Sequence, residues 1–174
     1  PRQSKYFGNN ITANSAHLGL GYDLTISSGG KAIGSNITLS GESIAIGSTI
    51  NSTQNNSFLV GDNIKSTNQS QFIAGQNITS GLLSASLIGK NIKETGGYAD
   101  ASFIAGNDID LKAPSRNRAK KAVIMGVGVD VTGGTNAVTI GSNVTTTSSS
   151  NSFTAGTDIV TTNTASGVTI GHNV

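Results

Sequence analysis

SFLVGDNIKS, residues Ser57 to Ser66, is the stretch that decides the fold. Fourteen residues later it returns as QFIAGQNITS from Gln71, and the next unit holds SLIGKNIKE from Ser86. The shared core is two or three apolar residues, a glycine, a variable residue, an Asn or Asp, and then an aliphatic residue. Self-similarity at a fixed short period marks a repeat architecture, so the chain is read as a stack of like units.

Counted from its glycine, the phrase runs through Gly8, Gly21, Gly34, Gly47, Gly61, Gly75, Gly89, Gly106, Gly126, Gly141, Gly156 and Gly171. Most spacings are 13 to 15 residues; two are longer, 17 before Gly106 and 20 before Gly126. Three positions after every glycine stands an aliphatic residue, from Ile11 to Val174, although only 35% of the chain is hydrophobic. The position before that aliphatic is Asn or Asp except at Thr49 and Gly128.

Composition narrows the class. Charged residues make up 11% of the 174, and there are three Tyr, five Phe and no Trp. Such a Gly, Ser, Thr and Asn-rich composition is common in disordered segments, but disorder needs no strict aliphatic column. With no cysteine, disulfides and thiolate metal sites are excluded. No apolar run is long enough to span a membrane as a helix. Net charge is +2, yet five of the eleven Lys and Arg fall between Lys112 and Lys121.

Each unit offers two short strands joined by a bend at the glycine and closed by a polar return turn. The expected fold is all-β: a parallel β-solenoid of about 12 coils in one domain, residues 1–174. Coils stacked at about 4.8 Å bring the Asn/Asp column into a ladder of side-chain amides. The residues before the glycine are apolar on both faces of the strand. Phe58, Phe72 and Phe103 are expected to fill the roll, with Ile64, Ile78 and Ile92 from the second strand. Lys31 and Ser86 stand out as departures in that core column. The intervening Leu59, Ile73, Leu87, Ile104 and Ile124 are then expected to face outward. A strand apolar on both faces is covered on both, so these five residues are expected to form an oligomer interface.

Insertions interrupt the period at about 93–101 and 110–121. Solenoid insertions usually emerge as loops on one face, often the binding face. The candidate partner-binding residues are therefore Lys112, Arg116, Arg118, Lys120 and Lys121, with Tyr98 and Glu94. The basic group suits an acidic receptor patch or a sulfated glycan, or else pairs with acids such as Asp108 and Asp110 across a subunit seam. No aromatics interleave with the charges, which argues against nucleic acid. The glycines of Met125 to Gly134 match neither dinucleotide-binding nor P-loop spacing. His17 and His172 are far apart in coil number and gather no further ligands. No nucleophile, base and orienting acid share a register. Neither an enzyme nor a cofactor is expected.

The segments SIAIGST (Ser43 to Thr49), NSFLVG (Asn56 to Gly61), NAVTIGS (Asn136 to Ser142) and NSFTAG (Asn151 to Gly156) resemble the head repeat of trimeric autotransporter adhesins, the YadA-like head. The resemblance implies a left-handed parallel β-roll, assembled as a homotrimer. It implies a fibre tip on a Gram-negative outer membrane, held by a C-terminal anchor outside this sequence. It also implies a host cell-surface receptor, such as an immunoglobulin-like adhesion molecule, or an extracellular matrix protein as partner. The alternative is a structural spacer in a trimeric surface or phage fibre, with binding elsewhere.

Overall fold

The structure, a computed structural model, describes residues 4–14, 18–93, 101–110, 121–132, 135–147, 150–163 and 165–174. Among them there is no helix; the chain is a parallel β-solenoid. Its strands are β1 (Lys5–Asn14), β2 (Leu18–Ser27), β3 (Lys31–Leu39), β4 (Ile44–Ser52), β5 (Phe58–Ser66), β6 (Phe72–Ser80) and β7 (Ser86–Lys90). They continue as β8 (Phe103–Asn107), β9 (Val123–Val127), β10 (Asp130–Val131), β11 (Val138–Thr147), β12 (Phe153–Thr162) and β13 (Val168–His172). Each pairs in parallel with the next coil, and only β10 lies off the main path, on β11.

The register follows the repeat frame. Gly61 pairs with Gly75, Gly75 with Gly89, and so on to Gly156 with Gly171, whatever the spacing between them. The inner aliphatic column is fully buried in ten coils, from Leu24 through Ile37, Ile50, Ile64, Ile78, Ile92, Ile109, Val129 and Val144 to Ile159. The solenoid accordingly makes about ten turns. The first and last strands add no buried core, because each has a neighbour on one side only.

The corner dictates the glycine. Gly61 sits at φ 138, a region L side chains rarely adopt. A Cβ there would lie 1.8 Å from the carbonyl oxygen of Gly75 in the next coil. Two residues on, Asn63 takes a left-handed φ of 54, as do most residues of its column. Short polar side chains tolerate that conformation best, and stacking turns the column into a ladder. Asn63 Nδ2 donates to Asn77 Oδ1 at 2.9 Å, Asn77 to Asn91 at 3.0 Å, and Asn91 to Asp108 at 2.6 Å.

One expectation is reversed. Leu59, Ile73, Leu87, Ile104 and Ile124 do not face outward; each is at most 1% exposed and lies inside the roll. Phe58, Phe72 and Phe103 do not fill the roll; they lie on its outside at 37%, 40% and 37% exposure. Alternation by twos would put residues 60 and 64 on one side. The glycine and the left-handed Asn between them break that parity, so Leu59 and Ile64 both point in. Lys31 and Ser86 are thus not anomalies of the core: their column is external, with Lys31 exposed and Ser86 half-buried.

Width explains why small and medium side chains are chosen inside. The inner column before the glycine holds Ala32, Ala45, Leu59, Ile73, Leu87, Ile104, Ile124, Thr139 and Thr154, with no aromatic. Volume is shared across the roll. Where the near wall is Gly19, the far wall supplies Ile26, whose Cδ1 would touch a Cβ at Gly19 at 3.3 Å. Where the near wall is Leu59 or Ile73, the far wall carries Ser66 or Ser80. Such exchanges keep those coils close-packed, although the coil of Ala45 carries a small residue, Ser52, on its far wall too. The buried Gln71 side chain is paired: it donates to Ser80 Oγ at 2.9 Å and to the Leu82 carbonyl, and accepts from Ser66 Oγ.

Candidate interaction surface

Two apolar columns run side by side along the outer face of the strands before the glycine. One carries Leu18, Ile44, Phe58, Phe72 and Phe103; the other carries Leu20, Ile33, Ile46, Ile88, Met125 and Ile140. Their large side chains are mostly 36–42% exposed, rising to 72% and 69% at Val168 and Ile170. At roughly 200 Å² per large side chain, the face leaves on the order of 1,000 Å² of apolar surface in water. That exceeds the few hundred Å² typical of a monomer's largest patch, and it matches the roughly 800 Å² per partner of a stable interface. Phe58 and Phe72 stack across adjacent coils, with ring centroids 5.8 Å apart and planes within 7°.

A second polar corner borders this face. Asn56, Ser70, Ser84, Ala101, Lys121, Asn136, Asn151 and Ser166 all take positive φ two residues before the outer column. Asn136 Nδ2 donates to Asn151 Oδ1 at 3.1 Å, an amide bond between two neighbouring coils of this column. This corner lies within the polar return turn expected from the sequence, which did not single out its left-handed column. Its signal was present in the Asn-Ser and Asn-Ala that precede Phe58, Val138 and Phe153.

Both insertions depart from the return side of the roll. Lys93 and Asp110 are bridge partners on adjacent coils, and the chain re-enters at Ala101 and Lys121, which occupy the second corner column. Of the proposed partner-binding residues, Lys121 is exposed at that corner. Glu94, Tyr98, Lys112, Arg116, Arg118 and Lys120 lie outside the described residues. Asp108 is engaged as the acceptor at the end of the first ladder, with Asn91 and Asn107 both donating to it.

Gly128 takes φ 59 in the ladder column, where other coils carry Asn or Asp. Repeat geometry therefore accounts for that glycine in Met125 to Gly134. Tyr22 and His172 are exposed. No group of three or more His, Cys, Asp or Glu that could hold a metal occurs among the described residues. Compared with family models, curated proteins and solved structures, the chain matches none.

Proposed function

We propose that the chain is the head of a trimeric surface adhesin, a rigid, non-enzymatic rod that binds a host receptor or matrix protein. The observation that carries the reading is the continuous apolar outer face. A parallel roll with such a face is incomplete alone, and a second and third copy of the same face complete it. The Ser-Ile-Ala-Ile-Gly and Asn-Ser-Phe-Leu-Val-Gly motifs, which resemble the YadA-like head repeat, supply the number three and the left-handed sense. They also supply the placement on a Gram-negative outer membrane, anchored through a C-terminal segment outside this sequence.

The partner surface belongs to the insertions at 93–101 and 110–121, which leave the roll on neighbouring coils beside the seam. Five basic residues close together suit an acidic receptor patch, and three copies multiply weak contacts into avidity. An immunoglobulin-like adhesion molecule or an extracellular matrix protein fits this role. The test is a binding screen of the purified chain against host surface and matrix proteins, repeated with residues 112–121 replaced by a short Gly-Ser turn. Binding that disappears with the loop supports the reading. Binding that survives moves the site to the flank of the roll. A chain that assembles but binds nothing in the screen favours a structural spacer.

A further inference from the structure

The apolar face carries very few charges. Along its two apolar columns and the bordering corner, the described cations are Lys5, Lys31 and Lys121, and Glu42 is the single acid. Lys31 sits in the Phe58 column, paired in register with Leu18 below and Ile44 above. Glu42 stands on the next coil, two residues before Ile44. Its backbone is held on three sides. Its N–H donates to Asn55 Oδ1 at 3.0 Å, its carbonyl accepts from Asn56 N at 2.8 Å, and Ser43 N donates to Gly41 O across it at 2.8 Å. Its side chain lies over Gly29, where a Cβ would come within 3.1 Å of Glu42 Cγ. Glu42 also lines an open groove of about 380 Å³ with Ile44, Phe58 and Phe72. Lys31 and Glu42 are both exposed, and neither forms an ion pair within the chain among the described residues.

We propose that Lys31 pairs with Glu42 of the partner subunit across the seam, and that this pair limits how far the copies can slide along one another. The inference rests on the assembly proposed above. Its logic is that every coil of an apolar stripe resembles the next. Sliding one copy by one coil, about 4.8 Å, would still lay Ile, Val and Phe against Ile, Val and Phe. Hydrophobic contact alone therefore leaves several registers nearly equal. A charge enclosed in an apolar contact is strongly destabilising unless it finds its opposite or its long side chain carries it out to water at the edge. Lys31 and Glu42 stand on adjacent coils, so copies at one height leave them one coil spacing apart along the axis, about 4.8 Å, within the reach of a lysine side chain; a slip of one coil closes that offset in one direction and doubles it in the other.

The test is sedimentation equilibrium on the parent chain, Lys31→Glu, Glu42→Lys and the Lys31→Glu/Glu42→Lys exchange, with circular dichroism to follow the roll. Both positions are exposed in the single chain, so all four proteins should show the same strand signal. Each single variant should assemble at least about tenfold more weakly, the effect of about 1.4 kcal/mol. The exchange should recover most of that loss. Singles that assemble like the parent overturn the pair, as does an exchange no better than the worse single. A parent that stays a single chain at every concentration overturns the assembly itself, and the pair with it.

Discussion

Replacing Leu59 by Ala separates the inside of the roll from its outside. Leu59 is 0% exposed and stacks between Ala45 below and Ile73 above. Truncation removes three heavy atoms' worth of apolar burial, roughly 2 kcal/mol of transfer free energy. A cavity term is added, because Ala45 offers no atoms to fill the space and the hydrogen-bonded coils cannot close on it. The total should be about 4 kcal/mol, in the upper part of the range for buried leucines. Phe58→Ala is the control one residue away. Its side chain is 37% exposed, so the single chain should lose less than about 2 kcal/mol, and the damage should appear in assembly. Urea unfolding followed by circular dichroism reads the first quantity, and sedimentation reads the second. Leu59→Ala costing under about 1 kcal/mol, with Phe58→Ala unfolding the chain, would refute the placement of both columns.

Four further outcomes follow from the geometry. Gly61→Ala puts a methyl group 1.8 Å from the Gly75 carbonyl, so the corner must open, and a loss of at least about 2 kcal/mol should lower the urea midpoint. Asn77→Asp keeps the acceptor for Asn63 but removes the donor to Asn91; thermal unfolding should show a cost of about 1 kcal/mol. Asp108→Asn should cost about 1 kcal/mol in the same assay, since Asp108 accepts from Asn91 on one oxygen and from Asn107 on the other, and an amide keeps only one of those acceptors. Gln71→Met leaves the Leu82 carbonyl and two serine hydroxyls without their partner, and chemical unfolding should register a loss of about 2 kcal/mol.

The stack itself was legible in the primary structure because glycine, Asn/Asp and the following aliphatic sit at fixed offsets. Ile64, Ile78 and Ile92 are buried as that frame expects, and the Asn ladder forms where the column runs. The face of the other strand was misread because counting by twos fails across Gly61 and Asn63, whose backbone angles reverse the side on which side chains emerge. A chemical signal was nonetheless available. The column with Lys31, Ser86 and four Phe is too mixed in charge and size for a narrow interior, whereas Ala32, Ala45, Leu59 and Ile73 all fit one. The conclusion that an apolar face is left over survives the exchange of columns, since either assignment leaves one outside. The partner surface was less legible. Insertions break the repeat, so no column constrains Glu94, Tyr98 or the basic residues from Lys112 to Lys121.

The most direct test of the account is the solution mass of the chain by light scattering over a range of concentrations. The apolar outer face should be covered by two further copies, giving three times the 17.5 kDa chain mass. A stable mass of 17.5 kDa at high concentration, with that face in water, would contradict it.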